Sequence, residues 1–267
     1  MEKKLLIVDG LNVIRRLYAA LESENDVNRR VERTQSIAIE ALAKLTSQFS
    51  PSYAVVVFDS SGKTWRHEFY PEYKLGRVPM DDQLLDSLSD FAKAFRFNDL
   101  ACLRLDGWEA DDLIATLAVK AARSNVKSYI VSTDKGFTQL LDDERIYQYD
   151  YFAKLGYDKA WVPGKYGVEP HQLTDYWALV GDTTNRIPGV KGIGPKTALS
   201  IINDFPTIEK IYANLPTFSE RIQKMLAGGY EQCIKSRTLV ALKTDVDIGI
   251  RLSQLSYLNS GSTKAKP

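Results

Sequence analysis

Three carboxylates stand within four positions of the stretch WEADDL, residues 108–113: Glu109, Asp111 and Asp112. Acids are favoured in the first turn of a helix, where unpaired N–H groups and the positive dipole end meet them. One or two would need no other reason. A third is costly, because two carboxylates about 4 Å apart repel by roughly 4 kcal/mol at an effective dielectric of about 20. Such a crowd either caps the helix that follows or holds a cation. More acids end short apolar runs: Asp9 after LLIV (5–8), Asp59 after AVVVF (54–58) and Asp134 after SYIVST (128–133).

The elements that carry these residues are legible. Continuous apolar runs of this kind suit parallel strands buried on both faces. A helical stretch over 27–48 separates the first two. Ile114, Leu117, Ala118 and Ala121 follow WEADDL at helical spacing, predicting a helix over about 110–123, after a weak strand near 101–105. Alternating strands and helices predict an open α/β sheet. Ligands bind such sheets outside the carboxyl ends of the strands. Asp9, Asp59 and Asp134 sit at those ends, and WEADDL opens its helix on the same side.

Any one of these acids reads best as a helix cap. Six from four segments would leave uncompensated charge, which a hard divalent cation resolves. With no histidine or thiolate among them, the donors favour Mg²⁺ or Mn²⁺ over zinc. Such a pocket points to phosphate chemistry. A covalent aspartyl-phosphate needs a second Asp two residues after the first, where VDGLN has Leu11. No Gly-rich loop ends in Lys-Ser or Lys-Thr after a strand, so no nucleotide cofactor is expected. Metal-activated water attacking a phosphodiester is left.

RIPGVKGIGPKTALSII, 186–202, adds a second signature. GVKGIG reads as a glycine-built hairpin after a helix over 170–180, and Pro195 opens the next helix at its first position. Gly192 and Gly194 allow a close partner, Lys191 and Lys196 flank the turn, and the free N–H groups make an anion site. A helix–hairpin–helix contacting a DNA backbone fits, with a plain turn as the alternative. In WRHEFYPEYKLGR, 65–77, Arg66, Lys74 and Arg77 alternate with Tyr70 and Tyr73. This suits base stacking with phosphate pairing, or a solvated loop diluted by Glu68 and Glu72.

Bulk composition excludes other classes. The chain has 267 residues, 44% hydrophobic and 26% charged, with a formal net charge of +1. These values fit an ordinary globular protein with no global attraction to nucleic acid. No apolar run reaches the roughly 20 residues of a membrane span, and MEKKLLIVDG is no signal peptide. Cys102 and Cys233 cannot frame a disulfide scaffold, which makes a cytoplasmic location the expectation. His67 and His171 form no zinc pattern. The tail from 252, ending NSGSTKAKP, is expected to be disordered.

In order, LLIVDG, VVVFD, YKLGR, EADD, STDKG, GDTTNRIPGV and KGIGPKTA resemble the 5′-nuclease family of flap endonucleases and the 5′→3′ exonuclease domain of bacterial DNA polymerase I, over about residues 4–245. The length without a polymerase resembles the stand-alone bacterial type. The resemblance implies a PIN-like α/β nuclease domain, 1–160, with a mostly parallel sheet and a basic arch near 60–95. It implies a helical helix–hairpin–helix region over 161–251. One metal site would be built from Asp9, Asp59, Glu109 and Asp111, with Asp112 and Asp134 nearby and Asp111 in direct contact. Lys74 and Arg77 would hold the scissile phosphate. The hairpin residues Lys191, Gly192, Ile193, Gly194, Pro195, Lys196 and Thr197 would bind DNA. The family's K⁺ would meet the carbonyls of Leu179, Val180, Pro188, Val190 and Ile193.

Two positions depart from the family. Gly136 stands where the Asp-x-Asp pattern has its second acid, and GDTTN keeps Asp182 but has Asn185 for its last acid. A second metal site thus loses two of its four carboxylates. The expectation is a Mg²⁺-dependent 5′-flap endonuclease acting on branched DNA, monomeric and with one depleted metal site. The rival is a module that binds flapped DNA and cleaves it negligibly.

Overall fold

A computed structural model describes residues 2–257. The elements run β1 (Lys4–Asp9), α1 (Gly10–Ala19), α2 (Val27–Phe49), β2 (Tyr53–Val57), α3 (Trp65–Phe69), α4 (Asp82–Phe97), β3 (Ala101–Leu103), α5 (Ala110–Arg123), β4 (Lys127–Val131), β5 (Ile146–Asp150) and β6 (Leu155–Tyr157). A helical region follows: α6 (Trp161–Tyr166), α7 (Leu173–Val180), α8 (Pro195–Asp204), α9 (Ile208–Ala213), α10 (Glu220–Gly228) and α11 (Tyr230–Val240).

The strands form one sheet in the order β3-β2-β1-β4-β5-β6. Every neighbouring pair is parallel except β5 with β6, which is antiparallel. β1 lies at the centre, and its alternation divides the core. Leu5 and Ile7 face α5 and the C-terminal helices, while Leu6 and Val8 face α1, α2 and α4. This is the mostly parallel, doubly covered sheet that the apolar runs predict. β5 and β6 escaped the sequence reading, because IYQYD and LGY are too polar and too short to read as buried strands.

The 161–251 region packs on the sheet: Leu179, Val190, Ile193 and Ile201 belong to the apolar cluster that contains Leu5 and Ile7. In the stretch 60–95, where the arch is expected, α3 and α4 flank a turn in which Lys74 (φ 56°) and Gly76 (φ 78°) are left-handed. The expectation of disorder from 252 needs correction, because 252–257 is ordered. Leu255 is buried, Ser256 bridges to Tyr53, and the Tyr257 N–H donates to the Ser52 carbonyl at 2.9 Å. Its apolar residues fasten this segment to β2 despite the polar composition around them. The remainder of the expected tail, 258–267, lies outside the described residues.

Among the described residues no helix is long and apolar enough to cross a membrane. Cys102 and Cys233 are free thiols.

Candidate active site

The carboxyl edge of the sheet gathers the acids, as the strand ends require. Asp9 closes β1 and caps α1, its carboxylate accepting from the Asn12 N–H at 3.1 Å and the Ser132 hydroxyl at 2.9 Å. Asp59 follows β2 and accepts from the Ala110 N–H at 2.9 Å, so it caps α5 from another segment. Asp134 caps the turn after β4 by accepting from the Gly136 N–H at 2.7 Å. Asp111 stands in the first turn of α5. The capping reading and the cluster reading therefore hold together: three of these acids are caps, and Asp9 stands close enough to Asp59 and Asp134 to feel their charge.

WEADDL divides in two. Asp112, fully buried, accepts from Arg66 at 2.7 and 2.8 Å, from Trp65 Nε1 at 2.8 Å and from the Lys243 N–H at 2.9 Å. Glu109 accepts from Arg66 at 2.9 Å and Tyr73 at 3.1 Å on one oxygen, and from Lys74 Nζ at 2.7 Å on the other. Burial works to raise the Glu109 pKa, but Lys74 and Arg66 outweigh it and hold the carboxyl below its usual range. Both oxygens of Asp112 are thus committed to protein donors, which turns it away from the pocket the other acids share.

Asp9, Asp59 and Asp111 are the reverse. Burial, then the Asp59 charge, pushes Asp9 up to about 7. Burial raises Asp59, only partly countered by the Ala110 N–H and Lys74. Burial, then Asp134, raises Asp111 well above the ordinary carboxylate range, with Asp9 and Asp59 adding to the effect. These carboxylates repel one another with too little protein cation between them. Among the described residues no three His, Cys, Asp or Glu side chains already close into an ion cage. A set of spaced, hard oxygen donors with excess negative charge fits a divalent cation that keeps much of its water.

The basic stretch 65–77 divides between buried and outward-facing residues. Arg66 is 2% exposed and Tyr73 5% exposed, so neither stacks on a base nor meets solvent. Both serve the carboxylates instead. Arg66 also donates to the carbonyls of Leu239 and Ala241, tying the end of α11 to α5. Lys74 is partly buried on Glu109, and Arg77 is exposed.

A cleft of about 550 Å³ opens beside the acids, and Asp111, Asp134, Arg77, Asp182, Tyr166 and Trp177 are among the residues that line it. Gly136 and Asn185 line it as well. Asp182 lines the same cleft and is joined through Asn185 to Arg77. The aromatic wall of Tyr166 and Trp177, with rings edge-on at 5.9 Å, was missed as part of the site. Nothing in the sequence separates these rings from ordinary packing.

The helix–hairpin–helix expectation has its elements in place. α7 ends at Gly181, and α8 starts at Pro195 with Gly194 before it and no side-chain cap. Lys191, Gly192, Gly194, Pro195 and Lys196 are exposed, Thr197 is half-buried, and Ile193 is buried as the anchor. Gly189 (φ 64°) lies so close to 179–181 that an added Cβ would stand 2.4 Å from the Gly181 nitrogen. The two backbone segments carrying the carbonyls of Leu179, Val180, Pro188, Val190 and Ile193 thus touch. Leu179 and Val190 each already accept one backbone bond.

Comparison with known proteins agrees with this geometry. Residues 4–167 match the family model of the 5′–3′ exonuclease N-terminal resolvase-like domain, and 168–262 match the 5′–3′ exonuclease C-terminal SAM fold. The chain is 41% identical over 259 residues to the flap endonuclease Xni of Cronobacter sakazakii, covering 96% of this chain and 98% of that one. It is 39% identical to that of Pseudoalteromonas translucida over 257 residues, covering 96% and 99%. Among solved structures, bacteriophage T5 5′-exonuclease with bound divalent metal ions superposes with a TM-score of 0.76 at 24% identity, covering 91% of this chain and 90% of that one. A complex of the T5 flap endonuclease with DNA and metal ions gives 0.71 at 25% identity, with 91% and 90% covered. The chain belongs to the 5′–3′ exonuclease family and is a nuclease.

Proposed function

We propose that this member of the 5′–3′ exonuclease family is a Mg²⁺- or Mn²⁺-dependent, structure-specific 5′-flap endonuclease acting on branched DNA. One observation carries the reading. Asp9, Asp59 and Asp111 lie buried at the sheet's carboxyl edge with their pKa values raised by burial and by neighbouring acids, Asp111 and Asp134 line the cleft together with Arg77, and Lys74 reaches Glu109 beside them. Asp111 would hold the ion directly, and Asp9, Asp59 and Asp134 would act through waters. Glu109 offers its outer oxygen when Lys74 turns to the phosphate. Asp112 holds Arg66 and lies outside the ligand set. A bound divalent ion supplies the charge that offsets these acids and activates the attacking water.

The chain's own residues do the rest. Lys74 and Arg77 draw the scissile phosphate toward the acids. Tyr166 and Trp177 form an apolar wall along the strand's path. With Gly136 and Asn185 in place of acids in this cleft, a second ion near Asp182 would depend on waters and substrate oxygens. The turn 191–197 grips the duplex backbone, with K⁺ on the carbonyls of Leu179, Val180, Pro188, Val190 and Ile193. Phosphate contacts of this kind select structure over sequence. The protein works as a cytoplasmic monomer without a nucleotide cofactor.

The test is single-turnover cleavage of a 5′-labelled flap in Mg²⁺ and K⁺, with flap binding measured in Ca²⁺. Cleavage at the flap junction is expected. Tight binding without cleavage would leave a recognition module and sink this reading.

A further inference from the structure

Asn185 occupies a family acid position, yet the site does not leave it idle. Its side-chain oxygen accepts from Arg77 at 2.8 Å, and its Nδ2 donates to Asp182. An ionised carboxylate can only accept and a guanidinium can only donate. The two partners therefore fix the orientation of the amide, and an aspartate could satisfy one of them only. The Asn185 carbonyl also accepts from the Lys74 N–H at 3.0 Å. One residue thus holds both basic residues of the 74–77 turn.

The surroundings fit a latch. Residues 182–187 are a closed platform, with Asp182 and Ile187 exchanging backbone bonds at 2.7 and 2.8 Å. Tyr73 packs on Ile187 and Leu239. Gly76, left-handed, lets the turn lie against the Arg186 guanidinium, where an added Cβ would meet Nη2 at 3.0 Å. Lys74, held in its left-handed conformation, points its ammonium at Glu109.

We infer that Asn185 is a positioning residue that docks the 74–77 turn over the carboxylates before DNA or metal arrives. The amide does with hydrogen bonds what a pair of acids could do only around a cation. Its effect on catalysis rests on the proposed function, since it acts through Lys74 and Arg77. The docking itself does not.

Trypsin separates the two, because Lys74 and Arg77 are its cleavage sites. When opening is fast, cleavage reports the open population. In EDTA without DNA, Asn185→Ala is expected to be cut at Lys74 and Arg77 roughly tenfold faster than the parent, matching loss of its two side-chain hydrogen bonds in part-exposed surroundings. The melting temperature should stay close to that of the parent. Asn185→Asp is expected to be open in EDTA and protected again in Mg²⁺, where an ion can join it to Asp182. At saturating flap DNA, Asn185→Ala should cleave about tenfold more slowly, with Kd changed less than about threefold. Equal tryptic rates for parent and Asn185→Ala, or protection of Asn185→Asp in EDTA, would overturn the latch. A parent that shows Asn185-dependent protection but no nuclease activity would keep the latch and remove the proposed function.

Discussion

The two halves of WEADDL carry the same chemistry and opposite electrostatics. Glu109 and Asp112 are neutralised by Arg66 and Lys74, and every oxygen has a protein donor. Asp111, between them in sequence, joins Asp9 and Asp59, and the pKa values of all three are pushed up. Clustered carboxylates therefore do not by themselves mark an ion site. The mark is a carboxylate that the fold buries and leaves without a cation.

The harshest way to break the contrast is to remove Arg66. Arg66→Met would leave Asp112 buried without a cation and Glu109 with Lys74 alone, and breaking such a buried pair costs about 3–5 kcal/mol. Urea unfolding should show a loss of that size. A loss under about 1 kcal/mol would mean the pair is dispensable.

Asp111→Asn attacks the other half. It relieves repulsion, so stability should hold or rise slightly. Single-turnover cleavage should fall by about 10²–10³-fold, on the scale of losing one preorganised electrostatic contact, while flap binding in Ca²⁺ is retained.

A milder effect belongs to the DNA grip. Lys196→Ala should weaken flap binding several-fold and reduce the slope of log Kd against log salt by about 0.9. An unchanged slope would remove Lys196 from the phosphate contacts.

The smallest effect separates the two halves by pH. Asp9 is raised to about 7, chiefly by burial, so its contribution to stability is present below the unfolded carboxylate range near pH 4 and is lost as pH rises through about 7. Glu109 is lowered despite its burial, by Lys74 and Arg66, so its contribution is present above pH about 4 and is lost as pH falls below that. In EDTA the melting temperature should decline between pH 5 and pH 8, and Mg²⁺ should restore more of it at pH 8 than at pH 5. A Mg²⁺ increment independent of pH would contradict this.

Much of the fold was legible because it rests on local pattern. LLIV, AVVVF and SYIVST are apolar on both faces, and only a buried parallel strand uses such runs. Their terminal acids then had to share one edge. What stayed hidden depends on long-range pairing. Arg66 lies 46 residues from Asp112 in sequence, and Lys243 lies 131 residues from it. No periodicity links them. Arg66 and Tyr73 looked like a nucleic-acid patch because a buried cation and an exposed one have the same letter. Asn185 read as a loss for a similar reason, since its partners Arg77 and Asp182 meet only in the folded chain.

The most direct test of the central claim is Mn²⁺ binding without DNA, followed by electron paramagnetic resonance of the free ion at fixed pH. The comparison is parent, Asp111→Asn and Asp112→Asn, each confirmed folded. The account predicts that Asp111→Asn weakens binding at least about tenfold, while Asp112→Asn lowers the melting temperature and stays within about threefold of the parent affinity. Parental affinity in Asp111→Asn, or a loss in Asp112→Asn as large as that expected for Asp111→Asn, would contradict it.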